Sequence, residues 1–112
     1  MVDIQKISEE LNVRQEVLAR LITSFSKTLQ EKLKQLDEAL SVNDVMRMRA
    51  ILHEVRGTSG NLRLKGVEAC AKSLHEAVKA GAQSAKLASY LSDLKSETQT
   101  LAEDVNSLQG GT

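Results

Sequence analysis

Proline and tryptophan are absent from the chain, and aromatic side chains are almost absent too: Phe25 and Tyr90 stand alone among 112 residues. A core without large rings must be assembled from Leu, Val, Ile, Met and Ala. A chain without proline has few enforced turns, which favours long helices over a sandwich or barrel of short strands. Cysteine is limited to Cys70, which excludes an internal disulfide and a cysteine-based zinc centre and makes a reducing cytoplasm the expected compartment. Charge of either sign is not in excess. Fifteen Lys and Arg balance fifteen Asp and Glu, so whole-chain attraction to nucleic acid or to an anionic membrane is not expected. No apolar run approaches the roughly 20 residues that span a bilayer, and the first residues lack the basic start and apolar block of a signal peptide. A protein of the cytoplasm, without a membrane partner, is predicted.

What the chain does have is helical periodicity. Val17, Leu18, Leu21, Ile22, Phe25, Leu29, Leu33, Leu36 and Leu40 recur in steps of three and four, and the spacing predicts one long amphipathic helix from Arg14 to Leu40. Asn12 is placed as its N-cap, with Gln15 completing a capping box. After Ser41-Val42-Asn43, either Asn43 or Asp44 caps a second helix with the stripe Val45, Met48, Leu52, Val55, Ser59 and Leu62. Lys65 and Gly66 mark the next break. A third stripe, Val67, Cys70, Ala71, Leu74, Ala77 and Val78, stops at Gly81, and Ser84 caps a last helix carrying Leu87, Leu91, Leu94, Thr98, Leu101, Val105 and Leu108. Cys70, on its stripe, reads as a small buried hydrophobe. Ile4, Ile7 and Leu11 line one side of a shorter segment.

The resulting fold class is all-α, an antiparallel four-helix bundle with a short accessory N-terminal helix, forming a single domain over residues 1–108 with a flexible tail at 109–112. A plain scaffold bundle, or a coiled-coil fragment that buries its stripes against partners, has the same periodicity.

A scaffold has no need of the second helix's other face. His53 lies about 100° from inward-facing Leu52, and its neighbours one and two turns away are Arg49, Arg56, Gly57 and Gly60. Each glycine costs a helix interior about 1 kcal/mol relative to Ala, so two of them three residues apart need a compensating reason. Helical side chains lean toward the N-terminus, so a side chain at position 57 would lie over the turn that carries His53. Gly57 leaves that space open, and Arg56 can donate paired hydrogen bonds to an oxyanion held at the ring. An accessible imidazole beside arginine donors suits a nucleophile that temporarily carries a phosphoryl group. The bland alternative is that Gly57 and Gly60 only admit a neighbouring helix.

The run His53-Glu54-Val55-Arg56-Gly57-Thr58-Ser59-Gly60-Asn61-Leu62 resembles the motif of histidine-containing phosphotransfer (HPt) domains of two-component phosphorelays: a histidine, two residues, a Lys or Arg, a glycine, then small residues leading to an apolar one. Asn43-Asp44 at the start of the motif helix, Phe25 in the preceding helix and the order of helices extend the likeness over nearly the whole chain. Arg63 departs from it, standing where the family usually has a glycine at the end of the motif helix.

The resemblance implies that His53 accepts a phosphoryl group on Nε2, that Arg56 stabilises that group, and that Gly57 keeps the approach clear. It also implies that His75, 22 residues after the acceptor, occupies the position of a polar group that orients the imidazole, with Lys79 adding positive potential. The expected protein is a phosphocarrier rather than an enzyme. It would take its phosphoryl group from a receiver-domain phospho-aspartate or a hybrid sensor histidine kinase and pass it to a response-regulator aspartate. No cofactor is expected in the chain itself, Mg²⁺ being supplied by the receiver partner, and a monomer is expected.

Docking is assigned to Ile4, Ile7 and Met46. Residues 44 to 79 hold seven Lys or Arg and four Asp or Glu, against eight and eleven elsewhere, so the neutral total conceals a basic region around His53. No Gly-rich phosphate loop accompanies it, and a metal site built on His53 and His75 lacks converging acids. A phosphorylation-independent helical adaptor and a structural helical oligomer are the alternatives.

Overall fold

The computed structural model describes residues 2–110. Among them there are five helices and no strand: α1 (Ile4–Leu11), α2 (Gln15–Ser41), α3 (Val45–Asn61), α4 (Lys65–Lys79) and α5 (Ser84–Gly110). Helix α2 packs against α1, α3 and α5, and α4 packs against α3 and α5, so the four longer helices close a ring of contacts around one core. The molecule measures 44 × 24 × 17 Å. Its long dimension is close to that of a 27-residue helix, about 40 Å at 1.5 Å per residue.

The apolar stripes meet as their spacing requires. Leu18, Ile22, Leu29 and Leu36 of α2, Met48, Leu52 and Val55 of α3, Leu74 of α4 and Leu94 of α5 have lost essentially all contact with solvent. Each such side chain contributes about 1.5–3 kcal/mol on burial, which is what holds helices of modest intrinsic propensity in place. The stripe also carries polar atoms inward at Ser59 and Thr98. Their hydroxyls donate to the carbonyls one turn back, Ser59 to Val55 at 2.6 Å and Thr98 to Leu94 at 2.8 Å, so neither is left unsatisfied.

The first four helices end in the same way. Asn12, Asn43, Arg63 and Gly81 all take left-handed backbone angles, φ between 55° and 74°. At each, the N–H of the left-handed residue and that of its successor turn back on the last helical carbonyls. The pairs include Asp44 to Ala39 at 2.8 Å, Leu64 to Ser59 at 2.8 Å and Ala82 to Ala77 at 3.0 Å. This shared ending corrects three boundaries. Asn12 does not cap α2: it closes α1, and Arg14 precedes α2 without a side-chain cap. The third break falls at Leu62-Arg63-Leu64, with Lys65 and Gly66 already inside α4, because Arg63 adopts the left-handed conformation that glycine would adopt more easily. Ser84 is the first residue within α5, and the carbonyl of Gln83 accepts from Leu87. At α3 the choice resolves to Asp44, whose carboxylate accepts from the Arg47 N–H at 3.1 Å.

Three further expectations change. Ile7 is a core residue of α1 and Ile4 packs partly against the same core, so this side of α1 faces inward. Cys70 is half-buried, and burial together with the nearby carboxylates of Glu97 and Asp93 pushes its thiol up. The α5 helix continues through the residues at 109 and 110, while Gly111 and Thr112 of the expected tail lie outside the described residues.

Candidate functional site

Helix α3 divides cleanly by face. Met48, Ile51, Leu52, Val55 and Ser59 are buried, whereas Met46, Arg49, Ala50, His53 and Gly57 form an exposed strip along its length. His53 stands near the middle of that strip and, among the described residues, makes no hydrogen bond or ion pair. The imidazole is therefore held only by its helix, which is anchored by the fully buried Leu52 immediately before it.

The two glycines of the motif differ in what surrounds them. A Cβ at Gly60 would come within 2.5 Å of Glu68 Oε2, a side chain that reaches back from the first turn of α4. A Cβ at Gly57 would meet nothing within 4 Å. The end of the exposed Glu68 side chain thus lies over Gly60, whereas nothing covers Gly57, whose missing side chain leaves open space beside His53.

Arg56 and His75 meet between α3 and α4. Arg56 Nη1 donates to His75 Nδ1 at 3.0 Å. A guanidinium has no acceptor, so Nδ1 must offer its lone pair, and the single proton of the neutral ring resides on Nε2. His75 is 7% exposed. Burial first, then the charges of Lys79, Arg56, His53 and Arg49, hold it below the ordinary imidazole range. His75 is thus a buried, neutral acceptor, and its hydrogen bond goes to Arg56. Lys79 is exposed one turn beyond it on α4.

On the other side of His53, a shallow groove separates α3 from α2, lined by Leu21, Phe25, Thr28, Lys32, His53 and Gly57. Lys32 crosses this groove to pair with Glu54, and its hydrogen bond and charge hold the Glu54 carboxyl below the usual carboxylate range. The acid next to His53 is thereby neutralised, and the strip keeps the positive character of Arg49, Arg56 and Lys79. Sequence reasoning did not find Lys32 or Leu21: nothing in their spacing relates them to residue 53 until α2 and α3 are set in register. Leu21 is 49% exposed although it sits on an otherwise buried stripe, and Met46 is 75% exposed. Among the described residues no three His, Cys, Asp or Glu side chains converge as ligands of a metal ion would, and no helix is long and apolar enough to cross a membrane.

The site is thus an exposed histidine on one helix of an all-helical domain, without a hydrogen-bond partner among the described residues, with an arginine one turn away and a bare glycine beside it. Residues 20–110 match the family model of the Hpt domain, and the chain belongs to that family. Hpt domains serve phosphotransfer in two-component systems as phosphocarriers rather than as catalysts in their own right, and they interact with receiver domains and kinases. No curated protein and no solved structure shows significant similarity to the chain.

Proposed function

We propose that this domain relays a phosphoryl group through His53. The observation that carries the reading is the combination at one point of α3: an exposed His53 without an internal partner, open space over Gly57, and Arg56 one turn along from His53. A structural surface histidine has no use for a helix-weakening glycine that nothing packs against.

In the proposed reaction the Nε2 lone pair of His53 attacks the phosphorus of a receiver's aspartyl phosphate. The P–N bond forms as the P–O bond to the aspartate breaks, the carboxylate leaves with the electron pair, and Nδ1 keeps its proton. The reverse sequence on a second receiver delivers the group to a response-regulator aspartate. Arg56 offsets negative charge on the transferring group, Gly57 admits it, Lys79 adds positive potential from α4, and His75 accepts a hydrogen bond from Arg56. Mg²⁺ belongs to the receiver's acidic pocket, which the basic strip complements. A hybrid sensor histidine kinase is the proposed upstream partner, and the cytoplasm the proposed compartment.

We further infer that α2 to α5 form an antiparallel four-helix bundle with α1 as an accessory helix, acting as a monomer and a single domain over residues 1–108. Short connections and the closed ring of helix contacts support this arrangement. Of the three apolar docking residues expected, Ile7 is buried in the core, and Met46 is the exposed one on the face of His53. It lies seven residues before His53 on the same face, about 10 Å away along the helix.

The test is to incubate the protein and His53→Ala with a phosphorylated receiver domain or a histidine kinase and to follow acid-labile, alkali-stable label. Label on the wild type alone supports the relay. Equal labelling of both, or signalling undiminished by His53→Gln, favours the phosphorylation-independent adaptor instead.

A further inference from the structure

The family resemblance implies a direct link between His75 and His53, yet the hydrogen bond that His75 Nδ1 accepts comes from Arg56. Arg56 is half-buried and lies one turn along α3 from His53, so anchoring its guanidinium restricts where its remaining donors can lie relative to the imidazole. A free arginine carries several rotatable bonds and loses rotamer entropy on ordering; a guanidinium already tied by one N–H has lost much of it before the phosphoryl group arrives. One of its five donors is used on His75, and four remain.

Resting on the relay reading above, we propose that His75 is the positioning residue for Arg56: its unprotonated Nδ1 anchors the guanidinium beside His53, and protonation of His75 releases it. The environment suits such a role. The charges bearing on His75 come from Lys79 on its own helix and from Arg49, His53 and Arg56 on α3, and α5, the other helix packed on α4, adds none. Every one of these is cationic or becomes so, and no carboxylate favours the charged ring. A protonated His75 presents N–H rather than a lone pair to Arg56 and repels it, so anchoring is lost in a single step as pH falls.

The experiment compares wild type, His75→Gln and His75→Leu. Phosphoryl uptake from a phosphorylated receiver domain is timed between pH 5 and 8, and ¹⁵N NMR of the wild-type imidazoles is recorded over the same range. Leucine cannot accept a hydrogen bond and should slow uptake about tenfold at pH 8, the scale expected when a positioned group is set loose. Glutamine, whose amide oxygen can accept from Arg56, should recover most of that loss. The ratio of wild-type to His75→Gln rates should fall with acidification.

The spectra should show Nδ1 of His75 unprotonated and Nε2 protonated at pH 8. An Nδ1-protonated ring, or uptake by His75→Leu equal to wild type with the same pH profile, overturns the proposal. If no variant is labelled, the relay reading fails; the NMR result then stands separately, and an unprotonated Nδ1 that titrates together with the Arg56 side-chain signals still supports the anchoring. A misfolded His75→Leu leaves the glutamine ratio and the wild-type spectra to decide.

Discussion

Arg56 and His75, nineteen residues apart on different helices, share one hydrogen bond of 3.0 Å in which arginine can only donate and histidine can only accept. The contact joins the motif helix to α4 directly behind the exposed strip. It converts a long flexible cation into a fixed feature of the face on which His53 stands, and it ties the protonation state of a buried ring to that face.

Stability should therefore depend on pH through residue 75. The folded chain holds His75 below its ordinary value of about 6.5, whereas the unfolded chain does not, so the unfolded state binds the proton more readily. The contribution is fully present above pH ~6.5 and is lost as pH falls toward the folded-state value. Thermal melts of wild type and His75→Gln between pH 7.5 and 5 check this. Wild type should lose melting temperature relative to the variant on acidification, and a relative gain would contradict the assignment.

Gly57→Ala separates stability from transfer. Open space around the new methyl means no packing penalty, and replacing a helical glycine should stabilise α3 by about 1 kcal/mol. The same methyl leans over the turn of His53 and should slow phosphoryl uptake about 10- to 100-fold, as small misplacements of reacting groups do. Urea denaturation and a transfer assay on one preparation suffice. Faster or unchanged uptake would show that position 57 does not guard the approach.

Arg63 tests the backbone at the end of α3. With φ at 60°, it occupies a conformation that glycine adopts freely and a β-branched residue adopts badly. Arg63→Gly should be as stable as wild type or more so by about 0.5–1 kcal/mol, even though an exposed ion pair with Glu10 at 3.5 Å is lost. Arg63→Val should lose about 2 kcal/mol. Equal denaturation midpoints for Gly and Val would show that the left-handed angle is not what position 63 demands.

Removing the cap at the start of the same helix should also be felt. Asp44→Ala leaves the Arg47 N–H without its carboxylate and should cost about 1 kcal/mol, with Asp44→Asn retaining most of the stability. Hydrogen exchange of the first α3 amides would localise the effect near Met46; uniform exchange changes across all helices would argue for a different origin.

How far the sequence could be read depends on whether the signal is local. The long stripes of α2 and α5 demand burial by their period alone, and Leu18, Leu29, Leu91 and Leu94 are buried. His53, Arg56 and Gly57 lie within five residues, so helical geometry relates them before any packing is known. Boundaries were harder because left-handed closure is open to Asn and Arg as well as Gly: Asn12 at the close of α1 reads equally as an N-cap, and Arg63 gives no sign of a turn.

By itself the sequence determined an all-helical chain, its stripes, and a histidine with an arginine and a glycine within one turn of it, because each follows from a 3.6-residue period acting on neighbours. Only the tertiary structure decided that Arg56 binds His75, that Lys32 neutralises Glu54, that Gly60 is covered by Glu68 while Gly57 is bare, and that Ile7 faces the core. These depend on the register and facing of different helices, which are set by how whole side-chain surfaces interlock when the core closes, and no spacing along one strand of chain encodes that fit.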